Sequence, residues 1–448
     1  MDDTVFIKAY AKVNLLLDVL YRRGDGYHEL EGIMQSVSLC DELMISRAEG
    51  MTVCSDIPLP AVNTCTRAAE EYLAGSGCGA KITLTKRIPS EAGLGGASAD
   101  GAAVLEGLNL LYRGTELERS REELFELGLR VGADVPFCLM RGCAVARGVG
   151  EKLEPVKGAE LPLLIVRGPR GVSTGRLFSS LGVGRERQSR LSPGALEKAL
   201  SALERGSVNE LCQSLENALQ PAAEQSAPEI AEYAERMLSL GALGSCMTGS
   251  GAAVFGIFGS REAALEAKKG FADCDFAAVC TTLTGRGEQP VLFRKGSVSD
   301  AALTAELKLA AWKTTYRGIY PDELIDGWDM AERTEREREK FLSPVMEGFI
   351  IEVGGTPCGF LFVRDDGSIY IPALYLIKEY RGMGIGSCAF RLIRSICRER
   401  GYKSFTCHCN SHNLPALAFY ERMGGRELSR SEGHENRRED QVSLEFKV

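Results

Sequence analysis

Lys86-Arg87-Ile88-Pro89-Ser90-Glu91-Ala92-Gly93-Leu94-Gly95-Gly96-Ala97-Ser98-Ala99-Asp100 separates a strand-like run, Ala80 to Thr85, from an apolar-periodic run, Gly101 to Leu111, that has helical spacing. A glycine-rich turn feeding a helix points backbone N–H groups and the positive end of the helix dipole at one spot, which suits a triphosphate. The turn is neither of the two common nucleotide loops. It lacks Gly-Lys-Ser/Thr, and Gly93-Leu94-Gly95-Gly96 does not fit GxGxxG. Taken alone, the same residues would also serve a helix start that needs only small side chains.

A second informative stretch lies upstream, from Ala9 to Leu30. Ala9, Ala11, Val13, Leu15, Leu17 and Val19 alternate with the period of a strand that packs one face on a core, which leaves Lys12 and Asn14 together on the other face, where a cation and an amide can meet a polar substrate. Gly24, Asp25 and Gly26 turn the chain, and Tyr27 and His28 follow, a ring that can stack on a flat heterocycle and an imidazole that can hydrogen-bond its edge. By itself this pattern is equally that of a half-solvated strand with an ordinary Tyr-His after its turn.

Further along stand Leu129-Arg130-Val131-Gly132-Ala133-Asp134-Val135-Pro136-Phe137 and Met247-Thr248-Gly249-Ser250-Gly251-Ala252. With the two stretches above, in this order along one chain, residues 1–287 resemble the GHMP kinase superfamily, and within it the kinases of non-mevalonate isoprenoid synthesis. The resemblance implies a two-lobed α+β fold with the active site in a cleft between lobes. It implies transfer of the ATP γ-phosphoryl group, with Mg²⁺ accompanying the nucleotide, to the 2-hydroxyl of a cytidine diphosphate-linked methylerythritol. Pro89, Ser90, Glu91, Ala92, Gly93, Leu94, Gly95, Gly96, Ala97, Ser98 and Ala99 would form the ATP loop, with Ser98 approaching phosphate or Mg²⁺. Asp134 would be the base, although a carboxylate before Pro136 also suits a plain helix entry. Lys12 would keep Asp134 ionised and offset the charge that develops during transfer. Tyr27 and His28 would read the cytosine ring, with Asn14 in the same substrate site and Phe178 covering the other face of the base. Glu91 has no evident place among phosphate-facing amides.

Composition sets limits. The chain has 448 residues, 44% apolar and 25% charged, which is ordinary for a globular protein with more than one core. Its net charge of -8 argues against a general nucleic-acid or anionic-membrane binder. Neither a signal-peptide succession nor a long apolar span is evident, so the expected location is cytoplasmic. The 15 cysteines are scattered, often within apolar runs, and read as buried free thiols. Cys407-His408-Cys409 with His412 is the one cluster with a hint of metal spacing, but no second Cys-x-x-Cys accompanies it, and no metal ligands are assigned.

The kinase-like pattern ends before the chain does. Val279 to Leu283 reads as its last strand, Gly285 to Gln289 as a link, and residues 288–448 as a second domain. There Val291 to Arg294 reads as a strand, Ser299 and Asp300 as caps of a helix to Trp312, and Met330 to Leu342 as a charged helix. Strands follow at Phe349 to Val353, Cys358 to Val363 and Ile369 to Leu376, separated by Gly354-Gly355 and Asp366-Gly367 turns. Tyr380-Arg381-Gly382-Met383-Gly384-Ile385-Gly386 then opens an apolar helix from Ser387 to Glu399, a backbone approach suited to a pyrophosphate.

Arg381 to Gly386 and Asn413 to Gly424 resemble two motifs of the GNAT N-acetyltransferases, an α/β acyltransferase fold. The resemblance implies acetyl-CoA bound by Arg381, Gly382, Met383, Gly384, Ile385, Gly386 and Asn413. Tyr420 would protonate the departing thiolate, though Phe419 and Tyr420 would also pack a helix. The strand from Ile369 to Leu376 has no carboxylate to deprotonate an amine, so water or a group elsewhere must serve. Arg317, Tyr320 and Asp322 are candidates to line the acceptor site. The expected partners are small molecules, with no nucleic acid and no membrane; the sequence is silent on oligomeric state. The alternative is a GHMP kinase for another small alcohol whose C-terminal domain senses acyl-CoA without turnover.

Overall fold

A computed structural model describes residues 3–448. The chain divides into two compact units, Ile7–Gln289 and Pro290–Val448, and residues 3–6 pack with the second. The sequence reading divides the chain after residue 287 and leaves the first residues with the first unit.

The first unit is built on the strand Thr4–Arg22, from Ile7 onward, beside the strand His28–Ala48. Gly26, at φ +90, makes the turn between them, and the Asp25 carboxylate accepts the Tyr27 amide at 3.1 Å. The second strand is long enough to serve two partners: residues 30–35 pair with Cys143–Gly148 and residues 42–48 with Gly79–Thr85, both antiparallel. Helices Thr64–Leu73, Gly96–Leu111, Arg121–Val131 and Val135–Met140 pack with one another and with this sheet. A separate antiparallel sheet runs Phe276–Thr281, Pro162–Arg167, Val254–Ile257, Gly244–Met247, backed by helices Glu229–Ser239 and Arg261–Lys268.

The helix after the glycine loop begins at Gly96, earlier than the apolar period indicates. Gly95 takes a left-handed conformation at φ 68, and the small residues that follow wind a first turn that has no apolar period to betray it. The last strand of the unit is Phe276–Thr281, shifted toward the N-terminus from the sequence expectation.

In the second unit, the strand order is Arg426–Ser431, Gln441–Lys447, Ser404–Asn410, Ile369–Leu376, Thr356–Asp365, Met346–Val353, Val291–Lys295. Residues 4–6 then add an antiparallel strand on Val291–Phe293. Among these strands, as described, the pairing of Ile369–Leu376 with Ser404–Asn410 is parallel and the others are antiparallel. Helices Ala301–Thr315 and Met330–Leu342 pack on each other and on the meander. Helix Ile385–Arg400 sets Phe390 against Phe405 and Phe446 of the sheet. Ser299 and Asp300 do not cap by their side chains. The Asp300 carboxylate instead accepts the Ser297 amide and pairs with Arg294, closing a short 3₁₀ turn before Ala301. Among the described residues no helix is long and apolar enough to cross a membrane.

Candidate functional sites

Lys12 and Asn14 are buried, not half-solvated. The face of their strand that the alternation leaves polar is covered by the glycine loop. The Lys12 amide donates to the Leu94 carbonyl at 3.0 Å, and a Cβ on Gly95 would lie 3.1 Å from the Lys12 stem. The Lys12 ammonium donates to the Asn14 side-chain carbonyl at 2.6 Å, and the Asn14 amide donates to the Thr248 hydroxyl at 3.0 Å. Thr248 in turn belongs to the Met247–Ala252 turn, which packs directly on the loop. A Cβ on Gly93 would come within 2.1 Å of the Thr248 carbonyl oxygen, and one on Gly249 within 2.6 Å of the Gly93 carbonyl oxygen. The Ala253 amide also donates to the Ala92 carbonyl at 3.2 Å. Glycine is required here because two backbones touch.

Asp134 stands at the entry of the helix Val135–Met140 with no capping bond from its side chain. Its carboxylate lies 3.8 Å from the Lys12 ammonium and remains partly exposed. A Cβ on Gly132 would sit 3.9 Å from the Ser98 hydroxyl, so the catalytic-segment candidate and the loop candidate meet at one place. Pro89, Ser90, Glu91, Ala92, Gly93, Leu94 and Gly95 form the loop, while Gly96, Ala97, Ser98 and Ala99 form the first helical turn. Glu91 has a left-handed backbone at φ 52 and directs its carboxylate toward Gly171.

Tyr27 is exposed, and His28 stacks on Phe178, with ring centroids 4.9 Å apart and planes at 26°. Phe178 lies on the short helix Thr174–Ser180, whose Thr174 hydroxyl is 2.7 Å from that of Ser250. Burial, assisted by Arg22, pulls the His28 imidazole below its ordinary pKa.

Three residues carry structure here that the sequence did not single out. Lys86 donates to both Asp41 and Asp100, the latter at 2.8 Å, and all three are largely buried. Burial pushes the Asp100 carboxyl up to about 8 against the opposing pull of Lys86. No spacing signal links residues 41, 86 and 100: the pairing of His28–Ala48 with Gly79–Thr85 brings Asp41 beside Lys86, and the packing of the helix Gly96–Leu111 on that sheet brings Asp100.

In the second unit, the parallel strands Ile369–Leu376 and Ser404–Asn410 pair only over Ile369–Ile371 and Phe405–Cys407. Beyond that they diverge, leaving facing backbone groups without a ladder partner on that side, a wedge that an extended amide-bearing chain can enter. Around the Tyr420 phenol stand Cys407, Cys409, Tyr375 and Tyr370, and burial keeps the phenol protonated, its pKa raised well above the ordinary value. Gly382 and Gly384 have φ of +80 and +78 with open space where a Cβ would project, at the start of helix Ile385–Arg400. A Cβ on Gly386 would meet the Phe419 ring at 2.8 Å.

Other candidates are engaged structurally. The Arg381 guanidinium donates to the carbonyls of Leu376 and Ala311 and to the hydroxyls of Thr314 and Thr315. The Asn413 side chain caps the helix Leu414–Arg422. Arg317 pairs with Asp322 and Asp326, and the buried Tyr320 stacks on Tyr316 at 4.4 Å. Met383 is exposed. Cys407 and Cys409 are both buried. Among the described residues no three His, Cys, Asp or Glu side chains are grouped to hold a metal ion. His412 and His434 each lie 2.8 Å from a different oxygen of Asp440, an arrangement the sequence did not reveal; the two imidazoles hold that carboxyl down at about 2.

Comparison with known proteins agrees with both halves. The GHMP kinases N terminal domain family matches residues 62–142, the GHMP kinases C terminal family residues 199–274, and the acetyltransferase (GNAT) family residues 310–425. A 4-diphosphocytidyl-2-C-methyl-D-erythritol kinase of Carboxydothermus hydrogenoformans is 42% identical over 56% of this chain and 88% of its own length. One from Acetivibrio thermocellus is 40% identical over 62% of this chain and 99% of its own. A crystal structure of a 4-(cytidine 5'-diphospho)-2C-methyl-D-erythritol kinase superposes with a TM-score of 0.52 at 35% identity, covering 62% of this chain and 98% of that one. With the Lys12–Asp134 pair under a glycine loop and the splayed strands of the second unit already in place, the chain belongs to the 4-diphosphocytidyl-2-C-methyl-D-erythritol kinase family of GHMP kinases and carries a GNAT-family acetyltransferase domain behind it.

Proposed function

We propose that the first unit phosphorylates the 2-hydroxyl of 4-diphosphocytidyl-2-C-methyl-D-erythritol with ATP, as a step of non-mevalonate isoprenoid synthesis. The observation that carries this reading is the Lys12–Asp134 pair, 3.8 Å apart, set beside the start of the phosphate-loop helix. In this reading Asp134 takes the proton of the 2-hydroxyl. The freed oxygen bonds to the γ-phosphorus as the bond to the β–γ bridging oxygen breaks, and ADP leaves. Lys12, fixed by Asn14, offsets the negative charge at the attacking oxygen, and the loop amides from Pro89 to Ala99 hold the phosphates. Mg²⁺ is assigned to the nucleotide, with no side chain given to it. Tyr27 stacks on the cytosine, His28 bonds its edge, and Phe178, resting on His28, moves to the other face of the base.

The test is ATP-dependent phosphorylation of this substrate by the whole protein and by Asp134→Asn. An amide keeps the shape but takes no proton, so turnover should fall about a hundred- to ten-thousand-fold with ATP affinity nearly unchanged. Near-normal turnover would remove Asp134 from the role of base.

The second unit, residues 288–448 by sequence, is proposed to transfer the acetyl group of acetyl-CoA to an amine. The loop amides after Arg381 take the pyrophosphate, and the wedge between the parallel strands takes the pantetheine. The amine nitrogen attacks the thioester carbon, the C–S bond breaks, and Tyr420 gives its proton to the thiolate. The ammonium proton passes to water or to His412, which adjoins Asn413 in the chain and is held by Asp440. The reading places both activities in the cytoplasm with small-molecule partners.

A further inference from the structure

We infer that Lys86, Asp41 and Asp100 form a buried clamp that fixes both ends of the phosphate loop, making them positioning residues for ATP; this rests on the reading of residues 89–99 as the ATP loop. The clamp is built from three separate elements. Asp41 belongs to the strand His28–Ala48, Lys86 follows the strand Gly79–Thr85, and Asp100 lies in the helix Gly96–Leu111. At the entry of the loop, one Asp41 oxygen accepts the amides of Arg87 and Ile88, the latter at 2.8 Å. At its exit, the Lys86 ammonium reaches across to Asp100 at 2.8 Å while also bonding the other Asp41 oxygen. Packing closes the same gap, since a Cβ on Gly96 would meet the Ile88 side chain at 2.9 Å and the Lys86 nitrogen at 3.6 Å. Residues 89–95 therefore leave and return to one anchored point.

A lysine just before a glycine-rich loop invites assignment as a phosphate ligand. The geometry says otherwise. Two of the three N–H groups of Lys86 are committed to carboxyl oxygens of Asp41 and Asp100, and the ammonium is buried beneath the loop. Its attraction is spent on holding the loop's two ends together, so that the amides of residues 89–99 keep a fixed spacing before the nucleotide arrives. Preorganised donors of this kind lose their value when they shift by about 1 Å.

The experiment measures equilibrium binding of the ATP analogue AMPPNP, with Mg²⁺, to the full chain by calorimetry, alongside KM for ATP and for the cytidine-linked substrate. Lys86→Met leaves two buried carboxylates without a cation and risks misfolding, so the deciding variant is Asp100→Ala, which leaves Lys86 matched by Asp41 alone. Asp100→Ala should weaken AMPPNP binding about tenfold and raise the KM for ATP in proportion, with the KM of the cytidine-linked substrate within about twofold of the parent. Asp100→Asn still offers Lys86 a carbonyl oxygen and should restore binding to within about threefold. Unchanged AMPPNP affinity in Asp100→Ala would overturn the clamp. So would an equal loss of affinity for both substrates, which marks a scaffold residue, or an Asn variant as impaired as the Ala one. Failure of the parent protein to bind AMPPNP at all would instead refute the ATP reading of the loop.

Discussion

Gly93→Ala and Gly114→Ala separate close backbone approach from backbone conformation. Both glycines have left-handed backbones, at φ +71 and +76, so an alanine at either position pays a conformational cost of about 1–2 kcal/mol. They differ in what a methyl group would meet. At Gly114 there is nothing within 4 Å, whereas at Gly93 the added carbon would lie 2.1 Å from the Thr248 carbonyl oxygen and 3.0 Å from the Gly251 nitrogen. An ordinary heavy-atom contact is about 3.5 Å, so the loop and the Met247–Ala252 turn must separate by roughly 1.4 Å. A displacement of that size in the proposed phosphate cradle should lower kcat/KM for ATP by about a hundredfold. Gly114→Ala should lose only stability. Steady-state kinetics with ATP varied, together with thermal unfolding of both variants, make the comparison. If the two variants lost similar stability and Gly93→Ala kept the kinetics of Gly114→Ala, the packing of the two glycine turns would have no part in forming the ATP site.

The lowered pKa of His28 gives a pH dependence with a definite sign: at pH 6.5, where an unperturbed imidazole is half charged, that of the folded protein is more neutral than charged, and it takes up its proton at lower pH. The KM for the cytidine-linked substrate should therefore rise as pH falls through that lowered pKa, and His28→Gln should lose this rise; an identical acid limb in the variant would assign it to another group. Gly384→Glu places bulk and negative charge at the start of helix Ile385–Arg400 and should abolish acetyl-CoA binding by calorimetry while kinase turnover persists; retained binding would put the pyrophosphate elsewhere. A fragment of residues 290–448 lacks the strand at residues 4–6, where Phe6 is buried edge-on to Phe293 with centroids 5.5 Å apart. It should be less stable to denaturant by about 1.5–3 kcal/mol than the same unit in the whole chain, and equal stability would show the added strand to be dispensable.

Both folds were legible because their decisive signals are local. The glycine loop before a helix, the alternation from Ala9 to Val19, and the Gly-x-Gly-x-Gly turn at residues 382–386 each record a backbone requirement in consecutive residues. The meander at Phe349 to Leu376 was readable for the same reason, its glycine turns marking where strands must end.

What the sequence determined by itself was therefore the order of the elements around its two glycine loops and the candidates for meeting phosphates. Tertiary structure decided how those groups are held. Lys12 reads as one polar residue on a strand face, and only the packing of the glycine loop on that face makes it a buried ammonium bonded to Asn14 and 3.8 Å from Asp134. Asp41 is far in the chain from Lys86 and Asp100, and the three carry no shared period, so their clamp exists only once strand pairing and helix packing set them side by side. The guanidinium of Arg381, a cofactor-loop candidate by motif, is held by the end of helix Ala301–Thr315, a contact that no local pattern encodes. Likewise the first residues, continuous in sequence with the kinase strand, join the sheet of the other unit. Register with Val291–Phe293 places them there, because an antiparallel edge accepts whichever strand presents matching hydrogen-bond groups, and no local pattern encodes which one that will be.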